Sequence, residues 1–259
     1  MQGGGTTPRR PLPTPETAML RHALPLLLAA SALPAAAITV DFDDLTPGAS
    51  PTDLGQGVRV SAVNANDPAL NAPVVYDFDG SPELAFGGQQ APFLGGGNVD
   101  PSEDLGNGLA VLGPDPARIL EFRRPAGNLR FDFDQPVNAF GFTVVDVEGP
   151  EEFATDTGHF VSLFSGGEEV LRVDFADFLT PGSPFYDPTV AFGNNSANRI
   201  EPIAASLAGV ESFDAAVLAL GGSAVVDGIR ATAAAVPTPG AAAAGLMLLA
   251  GATARRRRV

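Results

Sequence analysis

The 259-residue sequence contains no cysteine, no tryptophan and no lysine, and only two histidines, His22 and His159. Each absence excludes something. Without cysteine, neither a disulfide framework nor thiol chemistry contributes. Two histidines are too few for a His-rich zinc site, and a Ser-His-Asp device in the body of the chain would have to use His159. Without tryptophan, only Tyr76 and Tyr186 offer a polar-tipped ring to a ligand, and Tyr186 alone sits in a loop with polar neighbours, "TPGSPFYDPT". Without lysine, arginine carries all of the positive charge.

What charge there is lies strongly to one side. Residues 38–235 hold 29 Asp and Glu against 8 Arg, a formal net charge of −21. Such a field repels nucleic acid and anionic lipid, which removes both as partners of this region, while it tolerates divalent cations and keeps an exported protein soluble. At 198 residues the region suits one domain able to bury roughly 70% of its unfolded surface.

Both ends read as addresses. Residues 1–18 are rich in Pro, Gly and Thr and are expected to be a disordered extension, with Met19 an alternative start. From Met19 the sequence runs "MLRHALPLLLAASALPAAA": Arg21 is a positive n-region, Ala23–Leu33 an apolar h-region, and Ala35-Ala36-Ala37 an A-x-A-type cleavage site. Residues 19–37 are therefore predicted to be a signal peptide, with Ala35 and Ala37 flanking the cut and Ile38 the first mature residue. The chain closes on "VPTPGAAAAGLMLLAGATARRRRV". As a helix, Val236–Ala254 would extend about 28 Å, only just enough for a hydrocarbon core of roughly 30 Å. The positive-inside bias keeps Arg255–Arg258 cytoplasmic and makes the same demand of Arg21, so everything between is expected across the membrane.

Residues 236–259 resemble a PEP-CTERM sorting signal of Gram-negative bacteria, in the variant close to "VPLPA". The matching positions are Val236, Pro237 and Pro239, then the apolar segment, then Arg255, Arg256, Arg257 and Arg258. Thr238 stands where many members carry glutamate or leucine. The resemblance implies recognition by an exosortase, a membrane-integral transpeptidase-like protease. It also implies transit through the inner membrane and periplasm, tethered by the short transmembrane sorting helix until processing, then residence at the cell surface or in the extracellular matrix.

The middle reads as strands. In "NLRFDFDQPVNAFGFTVVDVEG", Leu129, Phe131 and Phe133 alternate with Arg130, Asp132 and Asp134, a period of two. Pro136 marks a turn, since it lacks the donor that a central strand needs. Phe140, Phe142 and Val144 then share a face opposite Val145 and Val147, which suits a strand buried on both sides. Leu171, Val173 and Phe175 continue the alternation, and Gly166-Gly167 and Gly221-Gly222 are expected at hairpin turns. Shorter candidates are 38–42, 58–63, 74–76, 109–112 and 119–122. Ten or more short strands with Gly/Pro turns, and at most one helical turn at 203–208, predict an all-β fold: a single jelly-roll-like β-sandwich over 38–235. The region also resembles the jelly-roll domains that often precede such sorting tails, through Phe42-Asp43, Gly57-Val58-Arg59-Val60, Asp77–Glu83, Phe131–Val137 and Asp227-Gly228-Ile229-Arg230.

No motif here specifies catalysis. The carboxylate pairs Glu151-Glu152 and Glu168-Glu169 fall on adjacent positions, which point to opposite faces of an extended strand. Asp146 and Glu148 share a face at a strand end and read as solvated charges, while His159 reads as a polar strand-edge residue. Calcium, as a structural cofactor, is a better use of this acid, because hard cations take six to eight oxygens from Asp/Gly/Asn loops. "DFDGSPE" offers Asp77, Asp79 and Glu83, and "DFDD" offers Asp43 and Asp44, with Asp227 within reach if the first and last strands adjoin. The alternative is that these acids only solvate turns. The sequence thus leads to a non-enzymatic, exported structural or adhesive protein of the envelope or matrix. The alternative function is a carbohydrate-binding module using Tyr186 on extracellular polysaccharide, with a glycan-active enzyme third.

Overall fold

The computed structural model describes residues 36–78, 96–112, 127–147, 159–193, 196–220 and 224–235. The calls on Ala35, Asp79, Glu83, strand 119–122, Gly221-Gly222 and the sorting motif lie outside them. The described chain is all-β. Its strands are β1 (Ala37–Val40), β2 (Val58–Asn64), β3 (Pro73–Asp77), β4 (Asn107–Val111), β5 (Gly127–Val145), β6 (Phe160–Ser165), β7 (Glu168–Asp174), β8 (Ala197–Ala204), β9 (Phe213–Leu220) and β10 (Val225–Ala233), with one short α-helix, α1 (Phe175–Leu179), and single 3-10 turns at Pro68–Leu70 and, where a helical turn is expected, Ala205–Ala208. Among the described residues no helix is long and apolar enough to cross a membrane.

β5 organises the sandwich. Its first half pairs antiparallel with β2 on one edge and β9 on the other, and β6 and β7 extend the β9 side. Its second half pairs with β10 and β8, and β10 carries β1 and β4, with β3 beyond β4. The exchange of partners happens at Asp134-Gln135-Pro136, which are exposed while both flanks are buried, and the β9 ladder jumps there from Asp132 to Val137. Pro136 is thus not the end of a strand. It forms the corner where one strand passes from sheet to sheet, a place that needs no ladder donor, and its carbonyl accepts from the Ala234 N–H at 2.8 Å.

The period of two accounts for the core. Val58, Val60, Leu129, Phe131, Phe133 and Leu218 from one sheet meet Phe140, Phe142, Val144, Ile200 and Ile229 from the other in one cluster. Ten phenylalanines lie in this cluster's buried part or packed on it: Phe42, Phe131, Phe133, Phe140, Phe142, Phe175, Phe178, Phe185, Phe192 and Phe213. Val145 points the other way and joins Val74, Tyr76, Phe78, Val99, Leu105 and Val225 in a second cluster on the outer face. The end of β5 is thus buried on both sides, as its unbroken apolar run predicts.

Four local expectations are corrected. Phe175 does not continue β7 but opens α1, where the Asp177 carboxylate accepts from the Asp174 N–H. β9 and β10 do not pair with each other but flank β5, so they are not the two arms of a hairpin. His159 is 6% exposed, with its ring 6.5 Å from that of Phe175, so it is a core residue and not a surface one. Asp146 is likewise buried, at φ 58°, with its N–H donated to Ser196 O. Gly166-Gly167 do form the expected two-residue hairpin between β6 and β7, with φ values of 60° and 85° that disfavour a side chain.

Phe142 is fully buried and stacks on Phe140 at 5.8 Å and on Phe175 at 6.0 Å. Phe142→Ala should therefore cost about 3–5 kcal/mol. Urea denaturation checks this as a lower midpoint at unchanged slope; a loss below about 1 kcal/mol would mean that the ring is not a core member.

Candidate functional site

Two places gather the predicted residues, and they differ in kind. The first is an acidic corner beside β10. The chain leaves β1 at Val40 and turns through Phe42, which adopts φ 67° and is buried, with Leu45 N–H donating to Phe42 O at 2.9 Å. This turn is held from β4: Asn107 donates its N–H to Asp43 Oδ1 at 2.9 Å and its amide to the carbonyls of Asp43 and Leu45 at 3.2 and 3.1 Å. Gly106 lies against the Asp43 carboxylate, where any Cβ would collide with it.

Asp227 sits on β10 where the ladder to β5 slips between Val226 and Gly228. Burial, followed by the neighbouring charges of Asp43 and Glu103, pushes its carboxyl up to about 7, with Arg199 opposing and Asp41 adding to the rise. Arg199 in turn pairs with Glu103, and its backbone is clamped by Asn98, which accepts from its N–H at 2.6 Å and donates to its carbonyl at 3.0 Å. Arg230 donates to Ile200 O at 3.0 Å, and its own pKa is lowered by burial and then by Arg199.

Asp43 is thus one of the charges that Asp227 feels. Asp44 is exposed on the same turn, while Asp77 ends β3 and acts on Tyr76, whose phenol is pushed up by burial, then Asp77, then Asp146. Among the described residues no group of three or more His, Asp or Glu side chains is arranged to hold a metal ion. Sequence reasoning missed Glu103 and Arg199, which reach this corner from a loop and from β8. Their only signal was the rarity of arginine in so acidic a domain.

The second place is a groove of about 330 Å³ that contains Tyr186. Phe178, Val190 and Ile203 are its buried lining. The segment 184–188 contributes Pro184, Tyr186 and Pro188, and the segment from β8 to its following turn contributes Glu201, Pro202 and Leu207. The loop carrying Tyr186 is tied down at several points. Ser183 N–H donates to Thr180 O at 3.0 Å, Tyr186 N–H to Ser183 O at 3.2 Å, and Asp187 N–H to Phe178 O at 3.0 Å. Asp187 Oδ1 accepts from both the N–H and the hydroxyl of Thr189, at 2.8 and 2.6 Å. Phe185 packs beneath, its ring 6.4 Å from that of Phe178. The result is a mostly apolar cleft that also carries two carboxylates. Sequence reasoning found Tyr186 but not Pro202 and Leu207, which lie beyond any local pattern.

The raised carboxyl of Asp227 makes the acidic corner testable. The folded protein holds this proton more tightly than the unfolded chain, so Asp227 lowers stability as pH rises from about 4 to 7, and the loss is complete above 7. A shift of about three units corresponds to at most ~4 kcal/mol. Partial exposure reduces this to about 1–2 kcal/mol, or roughly 2–8 °C in a domain this size. Asp227→Asn should raise Tm by that amount at pH 8 and by little at pH 4; equal shifts at both pH values would refute the assignment. If calcium binds here, its addition at pH 8 should raise Tm in the parent and not in Asp227→Asn, whereas no response to calcium or EDTA removes calcium from this corner. No protein-family model matches the chain, and a search of curated proteins finds no relative, so the geometry of these two places carries the functional reading.

Proposed function

We propose that the protein is an exported, non-enzymatic β-sandwich protein of the envelope or extracellular matrix of a Gram-negative bacterium, structural or adhesive in role. In this reading residues 19–37 direct export and residues 236–259 present the PEP-CTERM-like signal to an exosortase-type transpeptidase. The observation that best supports it is the pairing of β1 with β10. Ile38 lies opposite Ala231 and Val40 opposite Ile229, so the two ends of the sandwich lie side by side even with residues 19–37 removed. A domain flanked by two segments whose arginines both belong in the cytoplasm has to emerge and return on one side of a membrane, and adjoining ends meet that demand without strain. The same pairing of first and last strands favours the jelly-roll-like arrangement.

A second reading, as a carbohydrate-binding module, is favoured by the Tyr186 groove. The two are compatible, since a matrix protein that adheres needs a surface that holds polysaccharide.

Mass spectrometry of the protein isolated from its host reads both termini at once. The expected mature species begins at Ile38 and lacks Arg255–Arg258. An intact chain recovered from the cytosol would overturn the proposal.

A further inference from the structure

We propose that the groove beside Tyr186 holds an uncharged pyranose unit of a glycan, with the sugar's C–H face on the Tyr186 ring and its hydroxyls donating to the carboxylates of Asp187 and Glu201. This rests on the carbohydrate-binding reading and is independent of the export route.

Exposure is the first argument. Among the described residues only three large hydrophobic side chains are exposed, Val63, Tyr186 and Leu207, and two of them line this one groove. Isolated exposed apolar residues are ordinary, but two that line the same cleft form a surface that water covers poorly and a ligand covers well. The aromatic is also fixed in place. Its loop is closed by backbone hydrogen bonds back to Phe178, Thr180 and Ser183, and Phe185 beside it is seated against Phe178. A ring held in this way loses little freedom on binding, which favours affinity from a small contact.

The chemistry of the lining then selects the ligand. Among the described residues the groove is lined by no arginine, and the ionisable groups that line it are Asp187, Glu201 and the Tyr186 phenol. Carboxylates accept hydrogen bonds and donate none when ionised. They suit a ligand rich in hydroxyl donors, and they repel uronates, sulfates and phosphates, as does the −21 charge of the domain. An amine would gain from the acid but would have to desolvate against a buried lining of Phe178, Val190 and Ile203. A pyranose satisfies both requirements, because one face presents C–H groups to an aromatic ring while its edge presents hydroxyls. At about 330 Å³ the groove lies at the small end of ligand clefts, which suits one or two sugar units of a longer chain.

Calorimetric titration of the purified full chain with neutral gluco-, manno- and galacto-hexasaccharides tests this, alongside oligouronate and chitosan oligomers of equal length. At least one neutral oligosaccharide should bind, with the oligouronate and the chitosan each at least tenfold weaker. Tyr186→Ala should weaken neutral binding at least tenfold, equivalent to ~1.4 kcal/mol, and Tyr186→Phe should retain most of it. Because Tyr186 is on the surface, the melting temperature of both variants should match the parent, which separates lost binding from lost fold. Glycan binding unaffected by Tyr186→Ala would overturn this inference and leave the broader carbohydrate reading standing. Preference for the oligouronate or for chitosan would overturn the neutral-sugar assignment, and no binding to any of these oligomers would end both.

Discussion

The structure depends on a run of phenylalanine rings in continuous contact. Phe131 and Phe133 on the first half of β5 meet Phe140 on the second half at 6.0 and 6.1 Å, Phe140 stacks on Phe142, and Phe142 stacks on Phe175 of α1. Phe175 passes the contact to Phe192 and Phe178, and Phe178 to Phe185. A chain without cysteine has no covalent closure to rely on, so the attraction between the two sheets must come from buried apolar surface. Placing five of these rings on or beside one strand that belongs to both sheets makes the sheets hard to separate: neither can detach without unpairing half of β5. The same run ends at Phe185, the chain neighbour of Tyr186, so the core packing continues into the lining of the groove.

A domain this acidic also has to keep its few cations where they matter. Arg130 and Arg172 lie over Phe164 and Phe160 on the outer face of the first sheet, at 5.3 and 3.5 Å from the ring centres, and each also pairs with an aspartate two residues along its own strand. Their flat guanidinium groups cover rings that alternation leaves outside the core, an arrangement that an ammonium group matches less well. Arg199 and Arg230 serve the other sheet, where they moderate the field around Asp227 and Glu103. Each exposed ion pair contributes little alone. Together they let an acidic surface carry two aromatic patches and a half-buried carboxylate without a loop being driven off.

How much of this was legible in the sequence follows from which interactions are local. The alternation in 129–134, the two-sided burial of 140–147 and the Gly166-Gly167 hairpin were readable because each depends on neighbours a few residues apart. Pro136 was readable as a break in pairing but not as a corner, since that distinction depends on β9 pairing with the first half of β5 and β10 with the second. His159 and Asp146 were misread as solvated because polarity gives the wrong answer wherever a chain end is covered by a distant segment. In the sites, Tyr186 and the influence of Asp43 on Asp227 were within reach, the first from a lone aromatic among prolines and the second from the nearness of terminal strands. Glu103, Arg199, Pro202 and Leu207 were not, because tertiary packing alone brings them there.

The position of the groove within the second sheet connects these observations. One rung of that sheet runs Ile38, Ala231, Phe140, Ile203 across β1, β10, β5 and β8. Ile38 stands beside the adjoining chain ends, and Ile203 is part of the groove lining. Three strand spacings separate them, about 14 Å. The chain ends and the groove therefore occupy opposite edges of one rigid sheet. In the proposed reading, in which the chain is held by its ends and binds a glycan, this places Tyr186 at the edge away from the attachment. That separation serves the proposal more than any single contact in the groove, because a site that faced its own anchor would be shielded from a polymer.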